Sequence, residues 1–194
     1  EYTFDSFAID GYEITYTPAA SAKMHVDGIS AFVKKPYPAD YVPEPVIPKK
    51  KGDYYVGMNI CSLWREGTHS GWDCISPFDD IKPVLGYYDE GLPETADWEI
   101  KMLVEHGYDF QHCCWYVGNA TDGIKEPRLG DALHNGYFNA KYSDMQDFMI
   151  MWENQSYPDL TAESFRNDIV PYWIEYYLKD ERYLVINNKP VISI

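Results

Sequence analysis

The chain has 194 residues and carries 31 Asp and Glu against 16 Lys and Arg, a net charge of −15 at pH 7. So acidic a surface repels nucleic-acid phosphates and anionic lipid headgroups, and neither is expected as a partner. No run of about 18 apolar residues occurs, so no membrane span is expected.

In chain order, residues 1–35 read as β. Tyr12, Ile14 and Tyr16 alternate with Glu13 and Thr15, the period of a half-buried strand. Lys23–Lys35 predicts a further strand, interrupted by a turn or bulge at Asp27-Gly28. Two or three strands do not bury a core alone, so this segment is expected to be the closing part of a β-sandwich. Its VDGISAF run resembles the last strand of jelly-roll carbohydrate-binding modules. Residues 36–52 contain Pro36, Pro38, Pro43, Pro45 and Pro48 and read as a semi-rigid linker.

From residue 53 to residue 194 the pattern changes. Tyr54–Ile60 predicts an apolar strand, followed by a long loop with Trp64, Arg65, His69 and Trp72. Pro93–His106 predicts a helix with Ala96, Ile100, Leu103 and Val104 on one face and Gly107 as its terminator. Tyr108–Val117 is a second strand. Leu129–Lys141 is a second helix, with Leu129, Leu133, Tyr137 and Ala140 at helical spacing. Asp147–Met151 is a third strand. Thr161 is placed to cap a third helix that buries Phe165, Ile169, Trp173 and Tyr176 and kinks at Pro171. Asn187-Asn188 then turns the chain into a fourth strand, Lys189–Ile194.

The alternation β-α-β-α-β-α-β predicts an α/β fold with a parallel sheet. Long loops after the strands favour the first four strands of a (β/α)8 TIM barrel over a doubly wound sheet. A barrel takes about 250 residues, so the expectation is a half barrel, cut after its fourth strand and preceded by the β-sandwich remnant. Left open in this way, it is expected to be inactive by itself.

The stretch with most chemistry is Phe148–Pro158, FMIMWENQSYP. A strand that ends in an aromatic, a carboxylate and amides suits the rim where barrel sites are built. Glu153 is the candidate catalytic carboxylate, because glycoside hydrolysis uses a pair of carboxyl groups. Asp89, Glu90, Glu126 and Asp159 are available as its partner, the last three reading as solvated loop charges. Trp64, Trp115, Tyr116, Trp152 and Asn154 are candidate substrate-binding residues, since an aromatic content of 16% offers many flat faces for sugar rings. His112 is expected to face the core or the barrel interior. His69, His106 and His134 are scattered and no CxxC pair occurs, so no metal and no cofactor is expected. Of Cys61, Cys74, Cys113 and Cys114, the adjacent pair suits no mutual bridge. Buried free thiols are the expectation, with Cys61–Cys74 as a possible bridge.

Three stretches carry a resemblance: LGYYDEGLPETADWEIKMLVEHGYDFQHCCWYVG, FMIMWENQSYP and PYWIEYYLKDERYLVINNKPVISI. Together they resemble the glycoside hydrolase family 99-like, or WbsX-like, barrels over residues 53–194. The resemblance implies a barrel glycosidase acting on a polysaccharide or glycan, with mannosyl-type linkages as one substrate class. Such an activity places the protein at an extracellular, cell-surface or periplasmic site. The family motif puts its first carboxylate at Glu153 and its second at Ser156, a residue that does not serve as an acid at neutral pH. The family's "YD" pair falls on Tyr88 and Asp89, which makes Asp89 the first choice for the second catalytic group and Tyr88 a substrate contact. A glycan-binding protein without hydrolysis and a glycosyltransferase are the alternatives that this departure leaves open.

Overall fold

The computed structural model describes residues 4–10, 13–18, 41–49, 52–65, 71–72, 75, 78–118, 127–154 and 160–194. The chain divides into two compact units, Glu1–Pro36 and Tyr37–Ile194. In the first, β1 (Phe4–Asp10) and β2 (Glu13–Pro18) pair antiparallel, with Asp10 opposite Glu13. The strand expected at Lys23–Lys35 lies outside the described residues.

The second unit is α/β. Its main sheet has the order β3 (Gly57–Ile60), β4 (Phe110–Tyr116), β5 (Asp147–Glu153) and β8 (Ile192–Ser193), all parallel. Strand β3 is shorter than expected: Tyr54 is 77% exposed and stands outside the sheet. Strand β5 is longer and takes in Trp152 and Glu153. The expected fourth strand is two elements. Lys189–Pro190 (β7) first folds back antiparallel on Val185–Ile186 (β6). The link is Asn187-Asn188 with φ of 51° and 59°, the left-handed pair that a two-residue hairpin requires. Only then does β8 join β5, with Ile192 opposite Ile150.

Helix α1 (Pro93–Glu105) starts on Pro93 and ends as expected at Gly107, whose φ is 84°. There Gly107 N–H donates to Val104 O and Tyr108 N–H to Leu103 O, a Schellman closure that satisfies the last carbonyls. The second helix is shorter than its periodicity implies. Leu129 has φ of 57° and precedes it, and the helix is a π turn (Ala132–Gly136) followed by a 3-10 turn (Tyr137–Asn139).

Residues 162–178 form one helical run in which α2 (Ala162–Ser164) and α3 (Val170–Trp173) alternate with π turns at Phe165–Ile169 and Ile174–Leu178. Thr161 caps it, sharing a reciprocal capping box with Ser164. Pro171 removes one N–H from the ladder, and the π turn just before it takes up that defect. The π turns also move the buried face. At wider pitch the i+4 series 165, 169, 173 continues to Tyr177, which is 0% exposed, whereas the expected Tyr176 is 53% exposed.

Residues 41–49 are extended and lie along α1. Tyr142 OH donates to Val42 O at 2.8 Å, and Val46 N–H donates to Glu105 Oε1 at 3.0 Å. Tyr41 meets Trp98 edge-on. The core itself lies between the sheet and the helices, with Ile100, Phe148, Ile150, Ile169 and Tyr177 fully buried.

Candidate functional site

Successive residues of a strand point to opposite faces, and in β4 burial alternates strictly from Phe110 to Tyr116. Gln111, Cys113 and Trp115 face the helices and are buried. Phe148, Ile150 and Trp152 of β5 share that face: Phe148 packs on Tyr137, Phe138 and Tyr177 of the helices and on Tyr183 beyond them, and Trp152 stacks on Phe165 at 5.2 Å.

The other face is mixed, with Met149 and Met151 of β5 beside a polar set. His112 Nε2 meets Ser193 Oγ at 2.5 Å, Cys114 Sγ donates to Asn59 Oδ1 at 3.8 Å, and Cys61 Sγ meets Tyr116 OH at 3.4 Å. Glu153 closes β5 directly opposite Tyr116. Asn59 and Cys61 are exposed, and His112, Cys114, Tyr116, Glu153 and Ser193 are half-buried. Burial lowers the His112 pKa, which favours the neutral imidazole. Burial, then the Cys61 thiol and the Glu153 charge, push Cys114 up to about 11.

A second cluster is built by the loops between β3 and α1. Trp64 stacks on Trp72 at 4.3 Å, and Trp72 meets Tyr87 and Tyr88 at 5.4 and 5.0 Å. The Trp72 indole N–H donates to Tyr88 O at 2.5 Å. Beneath this stack Trp64 and Glu90 are clasped twice: Trp64 N–H donates to Glu90 Oε2 at 2.8 Å, and Glu90 N–H donates to Trp64 O at 3.0 Å. Arg65 pairs with Asp131 at 2.5 Å, which ties the loop to the second helix. Gly136 lets the two approach, because a Cβ there would collide with Glu90 O.

Two carboxyls of this region are protonated at neutral pH or close to it. Burial raises Glu90 to about 7, against the N–H bonds from Trp64 and Leu63 that favour its charged form. Burial and the Glu90 charge raise Glu99 of α1 to about 8. Burial, then Glu90 and Glu99, also raise the Tyr88 phenol. Glu99 lines a small cavity of about 20 Å³ together with Ile60, Cys113, Trp115 and Arg128, on the helix side of the sheet.

The predicted site residues therefore separate. Glu153 and Tyr116 are brought together on the open face. Trp115, expected on the same rim as Tyr116, is a core residue: it is 2% exposed, and its indole N–H donates to Tyr177 OH at 3.0 Å. Trp152 likewise turns away from Glu153, into the Phe165 and Trp173 rings. Tyr88 and Trp64 belong to the loop cluster. Asp89 shapes the turn into α1, its Oδ1 accepting from Gly91 N–H at 2.8 Å. Asn154 is exposed just beyond β5. Glu90 is no solvated loop charge, being 7% exposed and hydrogen-bonded. Glu126, Ser156, Asp159, His69 and Cys74 lie outside the described residues. Glu90 was named from sequence only as a solvated loop charge and Glu99 was not named at all, and nothing local in the sequence marks either as withdrawn from water.

Among the described residues no group of three or more His, Cys, Asp and Glu could hold a metal ion. No helix among them is long and apolar enough to cross a membrane. The fold and site thus define an α/β protein with a parallel sheet, one face apolar and covered, the other mixed, carrying its polar groups up to Glu153. Compared with known protein families, curated proteins and solved structures, the chain matches none.

Proposed function

We propose that the parallel sheet is half of a (β/α)8 barrel glycoside hydrolase and that its open face lines the substrate end of the barrel. Parallel sheets are found covered on both faces, and here the helices cover one. Barrel strands closing over the other face would enclose His112, Cys114, Tyr116 and Glu153, with Glu153 at the carboxyl end where such barrels do their chemistry. The observation that carries the reading is Glu153 in register with Tyr116 on that face. A carboxylate beside a phenol, both at the strand ends, is suited to hold and polarise a glycan hydroxyl. The substrate class is a complex glycan or polysaccharide, with mannosyl-type linkages first to be tried, at an extracellular, cell-surface or periplasmic site.

The test is hydrolysis by the closed barrel, with the remaining strands supplied in the same chain. Release of reducing ends from one glycan of a panel is expected, falling by at least about a hundredfold in Glu153→Gln while glycan binding persists. Unchanged turnover in Glu153→Gln overturns the reading. Non-catalytic glycan binding on the same face is the second reading, favoured by Ser156 at the position where the resemblance asks for a second carboxylate. Binding without any release of reducing ends decides for it.

A further inference from the structure

The thiols of Cys61 and Cys114 meet on the open face of the sheet. Strands β3 and β4 run parallel with Ile60 opposite Cys113, so the next pair in register is Cys61 and Cys114. Neighbouring strands lie about 4.8 Å apart, within the Cα separation that a disulfide spans. Both thiols are free, Cys61 exposed and Cys114 half-buried. Cys61 Sγ meets Tyr116 OH at 3.4 Å, Cys114 Sγ donates to Asn59 Oδ1 at 3.8 Å, and the Cys61 thiol lies close enough to Cys114 to raise its pKa. Cys113, one residue away, points to the opposite, helix-covered face and is buried. Of the pairing suggested by sequence, Cys61 with Cys74, the second residue lies outside the described residues.

We propose that Cys61 and Cys114 form a paired-thiol modification site, which low-molecular-weight disulfides oxidise to a cross-strand bridge and which trivalent arsenicals bind through both sulfurs. In the exchange the more exposed Cys61, as thiolate, attacks one sulfur of the small disulfide. The S–S bond breaks, one small thiol leaves with a proton, and a mixed disulfide remains on Cys61. Cys114 then loses its proton and attacks the Cys61 sulfur, expelling the second small thiol. Two protein thiols are oxidised and one small disulfide is reduced to two thiols. The bridge ties the ends of β3 and β4 together and takes from Tyr116 OH its sulfur partner, directly opposite Glu153. Burial and the neighbouring Cys61 thiol hold the Cys114 proton tightly, so the second step is the slow one and quickens as pH rises.

The 194-residue protein is equilibrated under native conditions with mixtures of reduced and oxidised glutathione, quenched by alkylation and mapped by mass spectrometry. The expected product has lost the mass of two hydrogens and yields one cross-linked peptide joining Cys61 to Cys114. In Cys61→Ser and in Cys114→Ser that product is absent and the remaining thiol carries a single glutathione. Phenylarsine oxide is expected to bind one per chain, and none in either variant. A bridge from Cys61 to Cys74, a lasting glutathione adduct on the wild-type Cys61, or no oxidation at any ratio overturns the proposal. Retained arsenical binding in either single variant also overturns it.

Discussion

The two faces of the parallel sheet follow opposite rules. The covered face is apolar and aromatic, and some of its few polar atoms are matched: Trp115 N–H goes to Tyr177, and Gln111 Nε2 goes to Gln146 Oε1 at 3.0 Å, while the buried indole N–H groups of Trp152 and Trp173 have no partner. The open face carries Asn59, Cys61, His112, Cys114, Tyr116 and Glu153 along the same strands, with Met149 and Met151 of β5 between them, so it is mixed where the covered face is apolar. One face holds the fold together, and the other is free to carry chemistry. The alternation that separates them is the strand's own period, so neighbours in sequence have different tasks.

The largest test of this contrast is truncation on each face. Phe148, 0% exposed among four aromatic rings, is expected to cost about 3–5 kcal/mol as Phe148→Ala. Met151, three residues on and turned to the open face, is expected to cost roughly 1 kcal/mol as Met151→Ala. Urea unfolding of both variants measures the gap, and equal losses would mean that the open face is packed after all.

The carboxyls provide the next test. Glu90 is buried and Glu99 half-buried on the loop and helix side, with pKa values raised to about 7 and about 8 from 4.5. In the unfolded chain they ionise near 4.5, so the folded state holds protons that the unfolded state has released. Stability is therefore fullest below about 4.5 and falls as pH rises through 7 to 8. For Glu90 the loss is on the order of 3 kcal/mol. Glu90→Gln keeps an acceptor for the Trp64 N–H and removes the charge, so its thermal unfolding midpoint is expected to exceed that of the natural protein at pH 8 and to match it at pH 4. A flat pH profile in the natural protein would remove the carboxyl pair from the account.

Much of the fold was legible because its signals are local. Gly107 ends α1, Thr161 caps the long helix, and Asn187-Asn188 makes a hairpin, each for a reason confined to a few residues. The site was legible only in part. Trp115 with Tyr116, and Trp152 with Glu153, were read as shared rims. Alternation along a strand forbids this, and applying it to the sequence would have assigned one member of each pair to the core. Other features were out of reach. The burial of Glu90 depends on Trp64 coming back across 26 residues, and the shift from Tyr176 to Tyr177 depends on π turns that propensity does not announce. The Cys61–Cys114 pairing needs the register of two strands.

A smaller effect separates the two tryptophan readings. Trp115→Phe keeps one aromatic ring in the core but deletes the N–H to Tyr177 and part of the buried indole, at an expected cost of about 2 kcal/mol. As a core change it is expected to leave glycan affinity untouched, whereas Tyr116→Ala, at the strand end on the open face, weakens it. Affinity lost in Trp115→Phe without a matching loss of stability would return that residue to the binding surface.

The smallest expected change is also the sharpest for function. Glu153→Gln is expected to alter folding stability by less than about 0.5 kcal/mol, the range of substitutions away from packed features. Glu153 lies at the last position of β5, half-buried on the open face, where glutamine has the same length and nearly the same shape. A residue kept for the fold would not behave so, because a carboxylate that anchors a buried ion pair costs about 3–5 kcal/mol when its partner is stranded. Matched urea midpoints for the natural protein and Glu153→Gln would therefore assign the carboxylate's charge to the open face and its chemistry. A midpoint lowered by as much as Phe148→Ala would place Glu153 with the residues that hold the sheet together.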